Sequence, residues 1–138
     1  MNKRRIAVVT GSRAEYGLLY WLLKELKKSK RIDLKLIVTG MHLSREFGFT
    51  YRAIEQDGFK IDRKVKMLTS SDTARGAVRS CALGVAGLGH AFAELKPAMV
   101  VLTGDRFEML AAATAAMLLR IPIAHIGGGE ITLGAIDE

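Results

Sequence analysis

A single cysteine, Cys81, stands among 138 residues, so no disulfide framework can brace the chain from within. No His, Cys and Asp cluster has the spacing of a metal centre. Neither a GxGxxG fingerprint nor a GK[ST] phosphate loop is present. Long apolar runs are missing as well. After the basic residues Lys3, Arg4 and Arg5 comes only IAVV, too short for a secretory signal. The longest apolar helix candidate, MLAAATAAMLL, is too short to span a bilayer. No stretch interleaves basic and aromatic residues as single-strand nucleic-acid binders do. Repeats, linkers and low-complexity segments are also absent. These absences argue against an exported disulfide scaffold, a metal or nucleic-acid module, and a membrane protein. They leave a cytoplasmic protein with no cofactor as the expectation.

What remains is ordinary globular material. Hydrophobic residues make up 49% and charged residues 25%, enough for one domain with a real core. The net charge of +7 is uneven: residues 1–66 hold 16 Lys/Arg against 7 Asp/Glu, residues 67–138 hold 5 against 7. Solvated helix faces such as KELKKSKR account for much of this. Attraction of an anionic substrate is the functional alternative.

The order of elements follows from periodicity. RIAVVT (5–10) is a continuous β-branched run, which suits a strand covered on both faces. GSRAEYG reads as a turn. In LLYWLLKELKKSK, Leu18, Leu22 and Leu26 recur at i, i+4, i+8, the mark of an amphipathic helix. DLKLIVTG (33–40) predicts a second strand, and 44–58 a helix capped by Ser44 and stopped at Gly58. KIDRKVKM (60–67) alternates like an edge strand. A long helix over 70–97 ends before Pro97, and Gly84, Gly87 and Gly89 would let it pack closely. A strand (98–104), an alanine-rich helix (106–120) and a strand (121–126) follow. Alternating strands and helices imply an α/β fold, a doubly wound parallel sheet in the order 3-2-1-4-5.

In such sheets ligands bind beyond the carboxyl ends of the strands, where the strand order reverses. Four strand ends carry unusual residues: Gly11-Ser12-Arg13, Thr39-Gly40-Met41-His42, Gly104-Asp105-Arg106, and His125 to Glu130. All should open on one rim. Arg13 at a helix start favours a phosphate or diphosphate; a plain turn with a surface arginine is the other reading. Asp105 could be a catalytic base or could cap the helix that follows. Arg106 could bind an anion or lock Asp105. The three glycines of HIGGGE let backbone approach a ligand closely, with Glu130 held against it; a flexible loop is the alternative. His125 sits in an apolar strand, where a satisfied core histidine is the commoner case. Asp137 and Glu138 matter only if their loop returns to the rim.

Taken together, GSRAEYGLL, VTGMHLSREFG, LTGDRFEMLAAATAA and IPIAHIGGGEITLGAIDE resemble the hydrolysing UDP-N-acetylglucosamine 2-epimerases of sialic acid synthesis, and their relatives that act on bacillosamine-type sugars for legionaminic acid. The resemblance implies two Rossmann-like domains facing across a cleft, as in GT-B glycosyltransferases. Residues 1–138 would be the N-terminal domain, incomplete and inactive alone, without the C-terminal domain that makes most UDP contacts. The implied reaction is anti elimination of UDP to a glycal, then addition of water to give the free C2-inverted sugar. Implied catalytic residues are Asp105, Glu130 and Asp137. Implied substrate-binding residues are Arg13, Arg106, His42 and His125. The implied partners are a UDP-sugar and further copies of the chain in a dimer or tetramer.

One position departs from the family pattern. Sialic-acid members read H-I-E-G-G-E, and this chain has Gly127 where they carry the glutamate. Glu130 then either replaces that acid or is structural. The substrate is either UDP-N-acetylglucosamine or a UDP-2,4-diacetamido-trideoxyhexose. Non-hydrolysing epimerases tend to read G-D-T and H-V-E-A-G, against the GDR and HIGGGE here. A glycosyltransferase of the same fold fits less well still. A stand-alone nucleotide-binding or interaction module is the non-enzyme alternative.

Overall fold

A computed structural model describes residues 2–69, 71–129, 131 and 133–134 of the chain. Its strands are β1 (Arg4–Thr10), β2 (Ile32–Thr39), β3 (Arg63–Val65), β4 (Met99–Thr103) and β5 (Ile123–Ile126). Among the described residues they form one five-stranded sheet, every pairing parallel, in the order β3-β2-β1-β4-β5. This is the order expected from the alternation of elements. The helices are α1 (Arg13–Lys28), α2 (Tyr51–Gln56), α3 (Ala74–Leu95) and α4 (Phe107–Leu118).

The sheet divides two apolar layers. On one face Ala7, Val9, Ile37, Val100 and Leu102 pack against α3 and α4 through Leu88, Phe92, Ala112 and Ala115. On the other, Val8, Leu36, Val38 and Val101 meet α1 and α2 through Tyr16, Leu19, Leu23 and Ile54. Successive strand residues point to opposite faces, so a strand covered on both sides must be apolar throughout. That is why RIAVVT shows no polar alternation.

Close packing of α3 holds for two of the three glycines expected to allow it, Gly84 and Gly87. An ideal Cβ on Gly84 would lie 2.5 Å from Met67 Cε and 3.0 Å from Ala111 Cβ. One on Gly87 would lie 2.6 Å from Val65 Cγ1, whereas Gly89 has only Ala115 Cβ at 3.9 Å. α3 starts later than expected. Thr73 is its N-cap, accepting from the Gly76 N–H, and Lys96 in the left-handed region closes it.

Three local expectations are corrected. GSRAEYG is not a turn throughout: α1 begins at Arg13, and Ser12 caps it. The buried stripe of α1 is Glu15, Tyr16, Leu19 and Leu23; Leu22 and Leu26 pack half-buried at its edge, but Leu18 is 79% exposed. Ser44 caps no helix over 44–58. Two short 3-10 turns, Gly40–Leu43 and Arg45–Phe47, precede the six-residue α2. Gly48 at φ 77° and Phe49 at φ 50° interrupt any continuous helix there.

Candidate functional site

The site forms where β1 and β4 part. β1 pairs with β2 as far as Thr10↔Val38, but with β4 only to Val8↔Val101. Beyond that point the two strands diverge at the topological switch, and side chains fill the crevice. Two of these are carboxylates, Glu15 and Glu108, both buried.

Glu15 belongs to a capping arrangement. Ser12 is extended, and its Oγ accepts from the Glu15 N–H at 3.4 Å. In return Glu15 Oε1 accepts from the Gly11 N–H at 2.9 Å and from Ser12 Oγ at 3.3 Å. This is the reciprocal logic of a capping box, displaced by one residue. Among the described residues, Glu15 Oε2 is buried with no hydrogen-bond partner. Burial raises the Glu15 pKa above the ordinary value; the Gly11 N–H opposes this and nearby Glu108 adds to it.

Glu108 is 0% exposed, and Arg106 meets it with a fork. Nε donates to Oε2 at 3.2 Å and Nη2 donates to Oε1 at 3.1 Å. The hydrogen bonds to Glu108 push the Arg106 pKa up. The arginine thus locks Glu108, not Asp105. Asp105 does not cap α4 either; the N-cap position is Arg106, and it makes no side-chain capping bond. Asp105 is exposed at the rim, with no side-chain hydrogen bond among the described residues.

Glycine turns close on this pair. An ideal Cβ on Gly11 would be 3.2 Å from both Cβ and Cγ of Glu108. One on Gly40, at φ 60°, would be 2.8 Å from the Gly11 carbonyl and 2.9 Å from Glu108 Oε1. Only glycine fits there, and the Met41 N–H then reaches the Gly11 carbonyl at 2.9 Å.

The histidines differ in setting. His42 is wholly buried, with Nε2 2.9 Å from Thr10 Oγ1 and Nδ1 2.8 Å from Thr50 Oγ1. Burial lowers its pKa to about 4, so the ring is neutral. His125 is exposed and donates from Nε2 to the Gly104 carbonyl at 2.7 Å. Its Nδ1 abuts Gly128, where an ideal Cβ would lie 2.2 Å away. Arg13 opens α1, exposed and without an ion pair among the described residues.

A cavity of about 740 Å³ adjoins the rim on the β2–β3 side, lined by Met41, Ser44, Lys66, Thr73, Arg106 and Phe107 among others. Arg106 is the expected site residue that lines it; Arg13, Asp105, His42 and His125 do not. The rim therefore joins Asp105, Arg106 and the Gly11 turn at one switch point, with the cavity beside it. Glu130 and Asp137 lie outside the described residues.

Glu15 and Glu108 escape a reading based on motifs alone. The signals for them were present. Ser12-x-x-Glu15 has capping-box spacing. Glu108 shares a helical face with Ala111, Ala112 and Ala115, at i+3, i+4 and i+7, all buried.

Among the described residues, no helix is long and apolar enough to cross a membrane, and no group of His, Cys, Asp and Glu could hold a metal ion.

Comparison with known proteins gives a consistent result. The family model for UDP-N-acetylglucosamine 2-epimerase matches residues 24–138. A GDP/UDP-N,N'-diacetylbacillosamine 2-epimerase (hydrolyzing) of Campylobacter jejuni is 46% identical over 138 residues, covering 100% of this chain and 36% of that protein. A UDP-N,N'-diacetylbacillosamine 2-epimerase (hydrolyzing) of Legionella pneumophila is 41% identical, covering 98% of this chain and 36% of that protein. The chain thus spans about a third of the length of these relatives. A crystal structure of a UDP-N-acetylglucosamine 2-epimerase superposes with a TM-score of 0.82 at 25% identity, covering 96% of this chain and 34% of the other. The Rossmann-like sheet corresponds to one half of a GT-B-type two-domain fold.

Proposed function

The chain belongs to the UDP-N-acetylglucosamine 2-epimerase family, and we propose that it forms one wall of the site of a hydrolysing UDP-sugar 2-epimerase. The names of the Campylobacter and Legionella relatives favour a UDP-2,4-diacetamido-trideoxyhexose over UDP-N-acetylglucosamine as substrate. The observation that carries the reading is Asp105: a carboxylate at the switch-point rim, neither capping a helix nor paired to its neighbouring arginine. A base must be unencumbered to take a poorly acidic proton.

In this reading Asp105 acts at the substrate C2–H. As that proton leaves, the C1–O bond to UDP breaks and its electron pair departs with the diphosphate. The product is a glycal. Water then delivers hydroxyl to C1, and a proton returns to C2 on the opposite face. Glu130 and Asp137 are the acids assigned to the water and the returning proton. Arg13, at the N-terminus of α1, and Arg106 offset the charge of the departing diphosphate. His42, being buried, acts on substrate only through the turn it holds, whereas exposed His125 is free to contact it. A second domain supplies the remaining UDP contacts, and the active protein is a dimer or tetramer.

The test uses the complete protein with each UDP-sugar in D₂O. Free C2-inverted sugar, carrying deuterium at C2, and UDP are expected. An epimerised sugar still joined to UDP would instead mark a non-hydrolysing enzyme. Binding of UDP without turnover of either substrate would mark a binding module. Asp105→Asn is expected to lower turnover by about 10²-fold or more while UDP binding persists; unchanged turnover would remove the base assignment.

A further inference from the structure

We infer that Glu108 is a positioning residue for Asp105, holding the Arg106 guanidinium away from the rim carboxylate so that Asp105 stays a competent base. This rests on the assignment of Asp105 proposed above, and nothing in the family likeness assigns Glu108 a role.

The geometry supplies the reasons. Arg106 follows Asp105 directly, and its side chain is 43% exposed. An arginine so placed would ordinarily close on the neighbouring aspartate and depress its pKa. Here the fork is committed elsewhere, with two N–H groups on a carboxylate that has no solvent access. The cradle is close, because the backbones of Gly11 and Gly40 pack against the Glu108 side chain with no space for a methyl between. Bidentate pairs of this kind hold direction as well as charge. Asp105 and Arg106 still feel each other electrostatically, so neutralising Arg106 changes what Asp105 senses.

Other charged and titratable groups meet this corner from each neighbouring element. Glu15 of α1 faces both Glu108 and Arg106. From the turn after β2 comes neutral His42, bound to Thr10. From β5 comes His125, which donates to the carbonyl of Gly104, the residue before Asp105. None of them occupies the Arg106 fork.

The experiment is a pH–rate series on the complete enzyme with its UDP-sugar. Glu108→Gln keeps the size of the side chain and removes its charge. The freed guanidinium then pairs with Asp105. The acid limb of kcat/KM is expected to move about one pH unit lower, and kcat to fall roughly tenfold with KM nearly unchanged. In Arg106→Gln/Glu108→Gln both charges are gone, and the acid limb should return to its original position. Arg106→Gln alone leaves an unpaired buried carboxylate near Asp105, which should move the limb upward. If Glu108→Gln fails to fold, as judged by its melting curve, Glu108→Asp takes its place: the charge is kept but the carboxylate is drawn back from the fork, and an acid limb that does not move down would overturn the inference.

A purely structural Glu108 would lower the melting temperature of Glu108→Gln and leave its acid limb in place. That outcome, or a shift that persists in the double variant, overturns the inference. Failure of the base assignment itself reads differently: Asp105→Asn would then turn over normally, whatever Glu108→Gln does.

Discussion

Thr10 and His42 are joined across two strand ends by a 2.9 Å hydrogen bond between Oγ1 and Nε2, both side chains wholly buried. The Thr10 hydroxyl donates to the Ser12 carbonyl at 3.3 Å, so it must accept from His42. That fixes the proton on Nε2 and leaves Nδ1 to accept from Thr50 at 2.8 Å. One neutral tautomer satisfies all three groups. Protonating the ring would oblige the Thr50 hydroxyl to turn from donor to acceptor and would bury a charge.

Stability should therefore depend on pH through His42. Its pKa falls from 6.5 to about 4 on folding. The unfolded chain takes up the proton first, so the contribution is full above about pH 6.5 and is lost as pH falls toward 4. The loss at pH 4.5 is about 2–3 kcal/mol. Glu15 runs the other way, since its raised pKa costs stability as pH climbs above 4.5. Urea unfolding at pH 7 and pH 4.5 isolates the histidine: the drop should shrink in His42→Asn. An equal drop in both proteins would show that His42 is not its source.

Arg13 stands at the head of α1, where the helix end and the guanidinium both favour an anion. Arg13→Ala in the complete protein is expected to weaken UDP affinity by about tenfold, the scale of one charge-assisted contact. Calorimetric titration with UDP checks this. An unaltered isotherm would make Arg13 a surface residue and nothing more.

The glycines of α3 offer a test of packing with opposite signs. Gly→Ala in a helix interior gains about 1 kcal/mol from propensity. At Gly89 the added methyl meets ordinary contact at 3.9 Å, so Gly89→Ala should raise the melting temperature. At Gly84 it meets Met67 and Ala111 at 2.5 and 3.0 Å. Overpacking there costs roughly 1–3 kcal/mol, enough to reverse the gain. Gly84→Ala should melt lower than the parent, and a rise at both positions would contradict the packing described for α3.

The inner strands were legible because they are apolar on both faces, as RIAVVT and AMVVLTG are. Parallel order then followed from the alternation of strands and helices. The segment 44–58 misled because SREFGFTYRAIEQ has helical composition, while Gly48 and Phe49 turn left-handed in its middle. Nothing in composition marks a phenylalanine at positive φ. The leucine spacing of α1 misled for another reason. Leu18, Leu22 and Leu26 form a regular stripe, and Leu22 and Leu26 do pack at the core's edge, yet the helix turns Leu19 and Leu23 fully inward with Glu15 on that side and leaves Leu18 exposed. A buried acid breaks the apolar pattern that marks a core face, so the face was assigned one residue away. At the site, Arg106 was visible as a charge but not as a partner. Its choice of Glu108 over Asp105 depends on how α4 begins, and that is decided by the fold around it.

The sheet also separates the two arginines of the rim. Arg13 rides on the α1 layer and Arg106 on the α4 layer, and each layer packs its own apolar interior. A diphosphate held by both would act as a staple across the crest of the sheet, fastening two slabs that otherwise meet through the strands between them and the Glu15–Glu108 corner. Occupancy should then register far from the rim, as slower amide exchange in α1 and α4 together.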